Sequence, residues 1–198
     1  MKTTLTSLVV LLCAILKTLG ADSPPIFEAI EKGNGPGVQK LLVAKLDLEA
    51  RNSMGWTPLI AATQARQTEI VELLAKSGAN VNARSTNGSL PLGFAAQAND
   101  TNTMAVLLKY KADVNGARPG GQTALMSAAY FGHINAAQLL LDAGADIDAR
   151  ASEDPKVLSD PTLNFLKHNA IDLAAKQEHP DMVKLLLFAR ANRKNRQP

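Results

Sequence analysis

The chain repeats its own pattern every 33 residues. One eight-residue pattern, which opens on glycine and continues into small and apolar residues, recurs at residues 55–62, 88–95 and 121–128. A second pattern of the form Ala-Asx-Val/Ile-Asx recurs at the same offset, at residues 79–82, 112–115 and 145–148. A unit this short cannot bury its apolar face alone, so the repeat predicts an array in which neighbouring units stack.

Two divergent units flank the three regular ones. Moving back by 33 residues places the first unit at 25–51, and the fifth unit is displaced by 13 extra residues. The predicted units are 25–51, 52–84, 85–117, 118–150 and 167–190, with an insertion at 151–168.

Each unit contains residues typical of the starts and ends of two short helices. Thr57 and Thr123 are good N-cap residues, and Pro58 suits the first helical position because its missing N–H has no partner there. Asn169 supplies the cap in the fifth unit, whereas Leu90 cannot cap the third. Gly78 and Gly144 end the second helices in the left-handed conformation. The sequence therefore predicts an all-α fold.

The repeat length, the Thr-Pro-Leu motif at Thr57, the Ala-Ala pair at Ala61 and the Gly-Ala-Asn-Val-Asn turn at Gly78 coincide in register. In these features residues 24–189 resemble the ankyrin repeat family. The resemblance implies an ankyrin solenoid of about five helix-turn-helix units with hairpin tips and divergent end caps. One position departs from the family: its usual histidine is replaced by Ile60, Gly93, Met126 and Asp172, so we expect a less stable array than a consensus one.

The resemblance also implies where a partner binds, because ankyrin proteins use their turn tips and inner helices, which line a concave face. Carried over position by position, the candidate partner-binding residues are Met54, Trp56, Gln64, Asn87, Ser89, Gln97, Gln122, Tyr130 and Phe131. Tryptophan and tyrosine are enriched in binding hot spots, and Trp56 is the single tryptophan. Local packing is the alternative for Trp56, and filling of the inner groove is the alternative for Phe131.

Residues 1–21 have the pattern of a secretory signal peptide. Lys2 precedes an apolar stretch at 5–16, which is too short to span a membrane, and small residues follow. We expect cleavage after Ala21 or Gly20, and hence a periplasmic or secreted protein. An uncleaved anchor or a buried strand is the alternative. The single cysteine, Cys13, lies in this segment, so the predicted mature chain has no disulfide.

The net charge of +3 is unevenly distributed. Residues 22–189 carry fifteen cations against eighteen carboxylates, which argues against a nucleic-acid partner. Four cations lie in the last nine residues: Arg190, Arg193, Lys194 and Arg196. We expect 190–198 to be a flexible basic tail, either solvated or in weak contact with a membrane surface.

The sequence offers little for catalysis, and we expect neither an enzyme nor a cofactor. His133 and His179 occupy the same repeat position, where the family uses histidine structurally. His168 has no ligand partner at metal-binding spacing, so no metal site is predicted. The insertion at 151–168 is either a lengthened tip or a short helix, and it is the remote place for a hidden active site.

The function that these features indicate is a non-catalytic, exported module that grips a protein partner on its concave face and is monomeric when free. An accessory or immunity-type role in the periplasm fits this description. A secreted effector that binds a host protein is the alternative. The sequence does not identify the partner.

Overall fold

A computed structural model describes residues 24–44, 46–151 and 168–194. Within these ranges the chain forms ten helices and no strand: α1 Pro25–Glu31, α2 Gly35–Val43, α3 Pro58–Gln64, α4 Thr68–Lys76, α5 Pro91–Gln97, α6 Thr101–Lys109, α7 Ala124–Tyr130, α8 Ile134–Asp142, α9 Ala170–Lys176 and α10 Pro180–Lys194. The expected signal peptide, nearly all of the insertion and Arg196 lie outside the described residues.

The helices form two layers. Odd-numbered helices pack on one another in chain order and make the inner layer, and even-numbered helices make the outer layer. Each inner helix also packs on the outer helix of its own unit. This arrangement confirms the predicted all-α solenoid of stacked helix pairs.

The helix ends follow the predicted chemistry. Thr57 Oγ1 accepts the backbone N–H of Ile60, Thr123 caps α7 in the same way, and Asn169 forms a reciprocal capping box with Asp172. Leu90 gives α5 no side-chain cap, as expected. Outer helices α4 and α8 end at glycines whose φ is 94° at Gly78 and 93° at Gly144.

The core runs continuously between the layers. Long aliphatic side chains such as Leu74, Leu107 and Leu140 are fully buried, and they face inner-helix alanines such as Ala96 and Ala129 that are buried as well. Alanine keeps the helix axes close, since it adds almost no bulk between them. Stability therefore comes from interfaces between units.

Hydrogen bonds at the tips also recur every 33 residues. Arg51 Nη1 donates to the carbonyl oxygens of Gly55 and Arg84, both at 2.7 Å. Arg84 Nη1 repeats the pattern with Gly88 at 3.1 Å and Ala117 at 2.7 Å. Each arginine thus ties its own tip to the next one.

The C-terminal boundary differs from the expected one. Helix α10 continues to Lys194, so residues 190–194 belong to the last helix and not to a tail. The physical reason is that two of the predicted tail cations bond to the fourth unit. Arg190 pairs with Asp148 at 2.7 Å, and Arg193 donates to the carbonyl oxygens of Ala145 and Leu141 at 2.6 and 3.1 Å.

Candidate functional site

The candidate residues at the tips are held by local hydrogen bonds. Asn52 Oδ1 accepts the N–H groups of Met54 and Trp56, both at 3.0 Å, which shapes the first tip. Met54 in this tip is 56% exposed. In the next tip Asn87 is exposed, and its Oδ1 accepts the N–H of Ser89. The tips therefore present these side chains from turns whose backbones are fixed.

Trp56 reaches across to the neighbouring unit. Its ring meets that of Phe94 edge to face, with the centroids 6.0 Å apart and the planes at 64°. The side chain is half-buried. This contact is the local packing that the sequence left as the alternative for Trp56. A role in partner binding for the exposed part of the Trp56 side chain stays a prediction.

The inner-helix candidates lie at the ends of α3, α5 and α7. Gln64 and Gln97 are exposed, and Tyr130 is half-buried. Phe131 is 43% exposed. Its ring lies 5.0 Å from that of Tyr130, edge to face, and stacks on the ring of His133 at 5.8 Å. The result is a small aromatic cluster at the end of α7.

A groove of about 270 Å³ lies between the third and fourth units, along α5 and α7. It brings together five of the candidate residues: Ser89, Gln97, Gln122, Tyr130 and Phe131. The other four candidates, Met54, Trp56, Gln64 and Asn87, do not line it. We call this the α5–α7 groove.

Eight groove residues were absent from the sequence-based set, among them Gly93, Phe94 and Arg118. Gly93 is the informative one. The residues one unit before and after it, Ile60 and Met126, are buried, whereas a Cβ added at Gly93 would meet no atom within 4 Å. The glycine thus leaves open space on the inner face. The sequence showed glycine at this position in place of the family histidine. Whether that glycine leaves a recess depends on the side chains packed around it, which the sequence alone does not show.

The groove floor combines polar and aromatic groups. Gln122 Nε2 donates to Ser127 Oγ at 3.3 Å, and Ser127 Oγ in turn donates to the carbonyl oxygen of Thr123. Arg118 is the charged residue of the lining. Aromatic surface beside a few oriented polar groups is the usual composition of a protein-binding hot spot.

The two histidines at the shared repeat position join consecutive inner helices. His133 Nε2 lies 3.1 Å from the carbonyl oxygen of Gln97, and His179 Nε2 lies 3.1 Å from that of Tyr130. A carbonyl oxygen only accepts, so each ring nitrogen donates. Gln67 makes the equivalent bond to Ile30 at 2.7 Å. These contacts support the structural role that the family resemblance implied.

Within residues 24–44, 46–151 and 168–194, no group of three or more His, Cys, Asp or Glu side chains is arranged to hold a metal ion. In the same ranges no helix is both long and apolar enough to cross a membrane.

On the outer layer, the Lys109 ammonium donates to the Glu72 carboxylate at 2.7 Å, and this bond lowers the pKa of the Glu72 carboxyl.

Comparison with known families agrees with the geometry. A model of ankyrin repeats in three copies matches residues 6–85 and 82–151, and a single ankyrin repeat model matches residues 167–197. The chain belongs to the ankyrin repeat family. Ankyrin repeat proteins are generally non-catalytic and typically mediate protein–protein interaction.

The chain is also similar to a 2-5A-dependent ribonuclease of Mus musculus, with 38% identity over 65 residues. That match covers 32% of this chain and only 9% of the ribonuclease. The likeness is thus confined to a small part of the larger protein.

Proposed function

We propose that this ankyrin protein is an exported, non-catalytic binding module whose protein partner docks on the α5–α7 groove and the adjoining tips. The observation that carries the proposal is the groove itself. It combines the partly exposed aromatic rings of Tyr130 and Phe131 with the polar groups of Gln97 and Gln122.

The groove is pre-formed, which favours binding. Its walls are helices α5 and α7, which pack directly on each other, and the His133 bond to Gln97 fixes one end. A rigid surface loses little conformational entropy when a partner docks, so more of the contact energy appears as affinity.

Export is supported by the pattern of residues 1–21, and it places the partner in the periplasm or outside the cell. An accessory or immunity-type role in the periplasm fits a small binding module of this kind. A weak membrane contact through the C-terminal cations stays a prediction for Lys194 and Arg196. For Arg190 and Arg193, the bonds to the fourth unit provide a structural role instead.

Site-specific photo-crosslinking in the producing cell tests both parts of the proposal. A photoreactive residue replaces Gln97 at the groove, and the matched control replaces Gln138, an exposed glutamine of outer helix α8. We expect a discrete envelope or extracellular protein to crosslink at position 97 and not at position 138. Equal crosslinking at the two positions would contradict the groove, and crosslinking only to proteins of a host cell would favour the effector alternative.

A further inference from the structure

The charges of the three regular units are divided between the two faces of the array. We call residues 51–66, 84–99 and 117–132 the concave segments; each comprises the tip and inner helix of one of these units together with the residue just before the unit. They contain four arginines and no carboxylate: Arg51, Arg66, Arg84 and Arg118. The intervening segments 67–83, 100–116 and 133–149 contain seven carboxylates against three cations. The protein is therefore locally positive on the face where the partner is expected, although residues 22–189 as a whole are acidic.

Resting on the proposed function, we propose that the partner presents an acidic segment: an extended stretch of aspartate and glutamate with an apolar or aromatic side chain for the α5–α7 groove. Arg51, Arg66 and Arg84 are exposed, and Arg118 lines the groove. Complementary charge speeds encounter and selects the orientation in which a partner docks.

The arginines are also pre-oriented for carboxylates. Arg51 and Arg84 each place Nη1 between two backbone carbonyl oxygens at 2.7–3.1 Å. A guanidinium carries five N–H donors in one plane, so donors remain after those two contacts. An arginine whose side chain is already fixed loses little entropy on binding, and it recognises a carboxylate better than a freely moving lysine does.

The positive surface is limited to the middle of the array. In the first unit Glu28 and Glu31 lie on α1, and in the fifth unit Asp172 and Glu178 lie on or beside α9. Lys32 pairs with Glu28 and Lys176 lies on α9, so the end units carry mixed charge, whereas the concave segments carry only arginines. The arginine-bearing stretch thus runs over the same units as the groove and Trp56.

An acidic protein segment fits better than a nucleic acid or an anionic lipid surface. Four arginines supply modest charge, whereas the groove between α5 and α7 supplies aromatic surface and hydrogen-bonding groups in a recess of about 270 Å³. A recess of this size accepts a side chain. A flat membrane surface would not enter this recess.

The test compares two synthetic extended peptides of equal length by fluorescence anisotropy. One carries alternating Asp and Glu with a central Phe, and its twin carries Asn and Gln at the acidic positions. At an ionic strength of about 0.1 M we expect the acidic peptide to bind about tenfold tighter than its twin. At about 1 M, where the Debye length falls from about 10 Å to about 3 Å, we expect less than a twofold difference. Equal binding of the two peptides at low salt would overturn the proposal.

Charge reversal at Arg66 locates the effect. Position 66 has φ of 57°, and Glu178 has the same φ at the equivalent position of the fifth unit, so glutamate is compatible with the backbone there. We expect Arg66→Glu to weaken the acidic peptide about fivefold, and Arg66→Lys to retain its affinity. The matched control is Lys76→Glu on outer helix α4, which makes the same change in net charge and should alter affinity less than twofold. An equal loss in both reversal variants would show that only net charge matters, and would overturn the proposal.

Two further outcomes separate this proposal from its alternatives. If single-stranded DNA or phosphatidylglycerol vesicles bind with the Arg66 dependence while the acidic peptide does not, the acidic-protein assignment is wrong. If the crosslinked partner loses affinity for a groove-filling Gly93→Met variant but not for Arg66→Glu, the groove is the binding site and only the charge proposal fails. If Gly93→Met leaves partner affinity unchanged, the proposed function itself fails.

Discussion

Leu140 tests the stacking of the array most sharply. Its side chain is fully buried in outer helix α8, in the core shared with α6, α7 and α10. Replacement by Ala removes three buried carbon groups, which at about 0.8 kcal/mol each lowers the free energy of unfolding by about 2.4 kcal/mol. The space left behind adds to this loss when the surroundings do not close around it.

The surroundings of Leu140 are poor at closing. Several of its buried neighbours are alanines, including Ala136 and Ala137 on the same helix and Ala129 on α7. Alanine has no side-chain rotamers with which to fill a void. We therefore expect a total loss of about 3–5 kcal/mol, a large fraction of the 5–15 kcal/mol typical of a folded domain.

Urea melts followed by circular dichroism give the free energy of unfolding of each variant. The matched control is Leu187→Ala in α10, because Leu187 is 48% exposed and its loss should be less than about 1 kcal/mol. Native hydrogen exchange should in addition show faster opening of the units on both sides of α8 in the Leu140 variant. A loss for Leu140→Ala no larger than that for Leu187→Ala would refute the stacking.

Three other predictions concern single features. Lys111 stands at φ 69° where Gly78 and Gly144 stand in other units, so Lys111→Gly should stabilise the array by about 0.5 kcal/mol, and a fall in Tm would contradict this. Trp56→Ala should weaken partner binding by roughly 2 kcal/mol and also lower Tm, because it removes the contact with Phe94; unchanged partner affinity would assign Trp56 to packing alone. The mature protein should begin at Asp22 or Ala21 by intact mass, and a stable form that begins at Met1 in the envelope would exclude cleavage.

Much of the fold could be predicted because its determinants are local. Thr57, Thr123 and Asn169 act on their own helices through side-chain bonds that span only a few residues. Gly78 and Gly144 likewise act on the helix ends beside them. Capping residues and helix-ending glycines can be recognised from the sequence alone, because they act on neighbouring residues. The 33-residue period then predicts how the units stack.

The details of the site depend on contacts between units and were less accessible. Trp56 meets Phe94 across 38 positions of sequence, and the open space at Gly93, where an added Cβ would meet no atom within 4 Å, is defined by the packing of the surrounding helices. The sequence placed the start of a flexible tail at residue 190, whereas the last helix continues to Lys194. This boundary also depends on distant contacts, since Arg193 bonds to carbonyl oxygens that lie 48 and 52 positions earlier in the chain.

The central claim is that a protein partner occupies the α5–α7 groove, and a pair of substitutions at Gly93 tests it most directly. Gly93→Ala places one methyl group in open space within α5 and should raise stability by about 0.5–1 kcal/mol while leaving affinity for the crosslinked partner close to wild type. Gly93→Met extends a longer side chain into the groove and should weaken that affinity by at least about tenfold without lowering Tm. Wild-type affinity of a folded Gly93→Met protein for its partner would contradict the account.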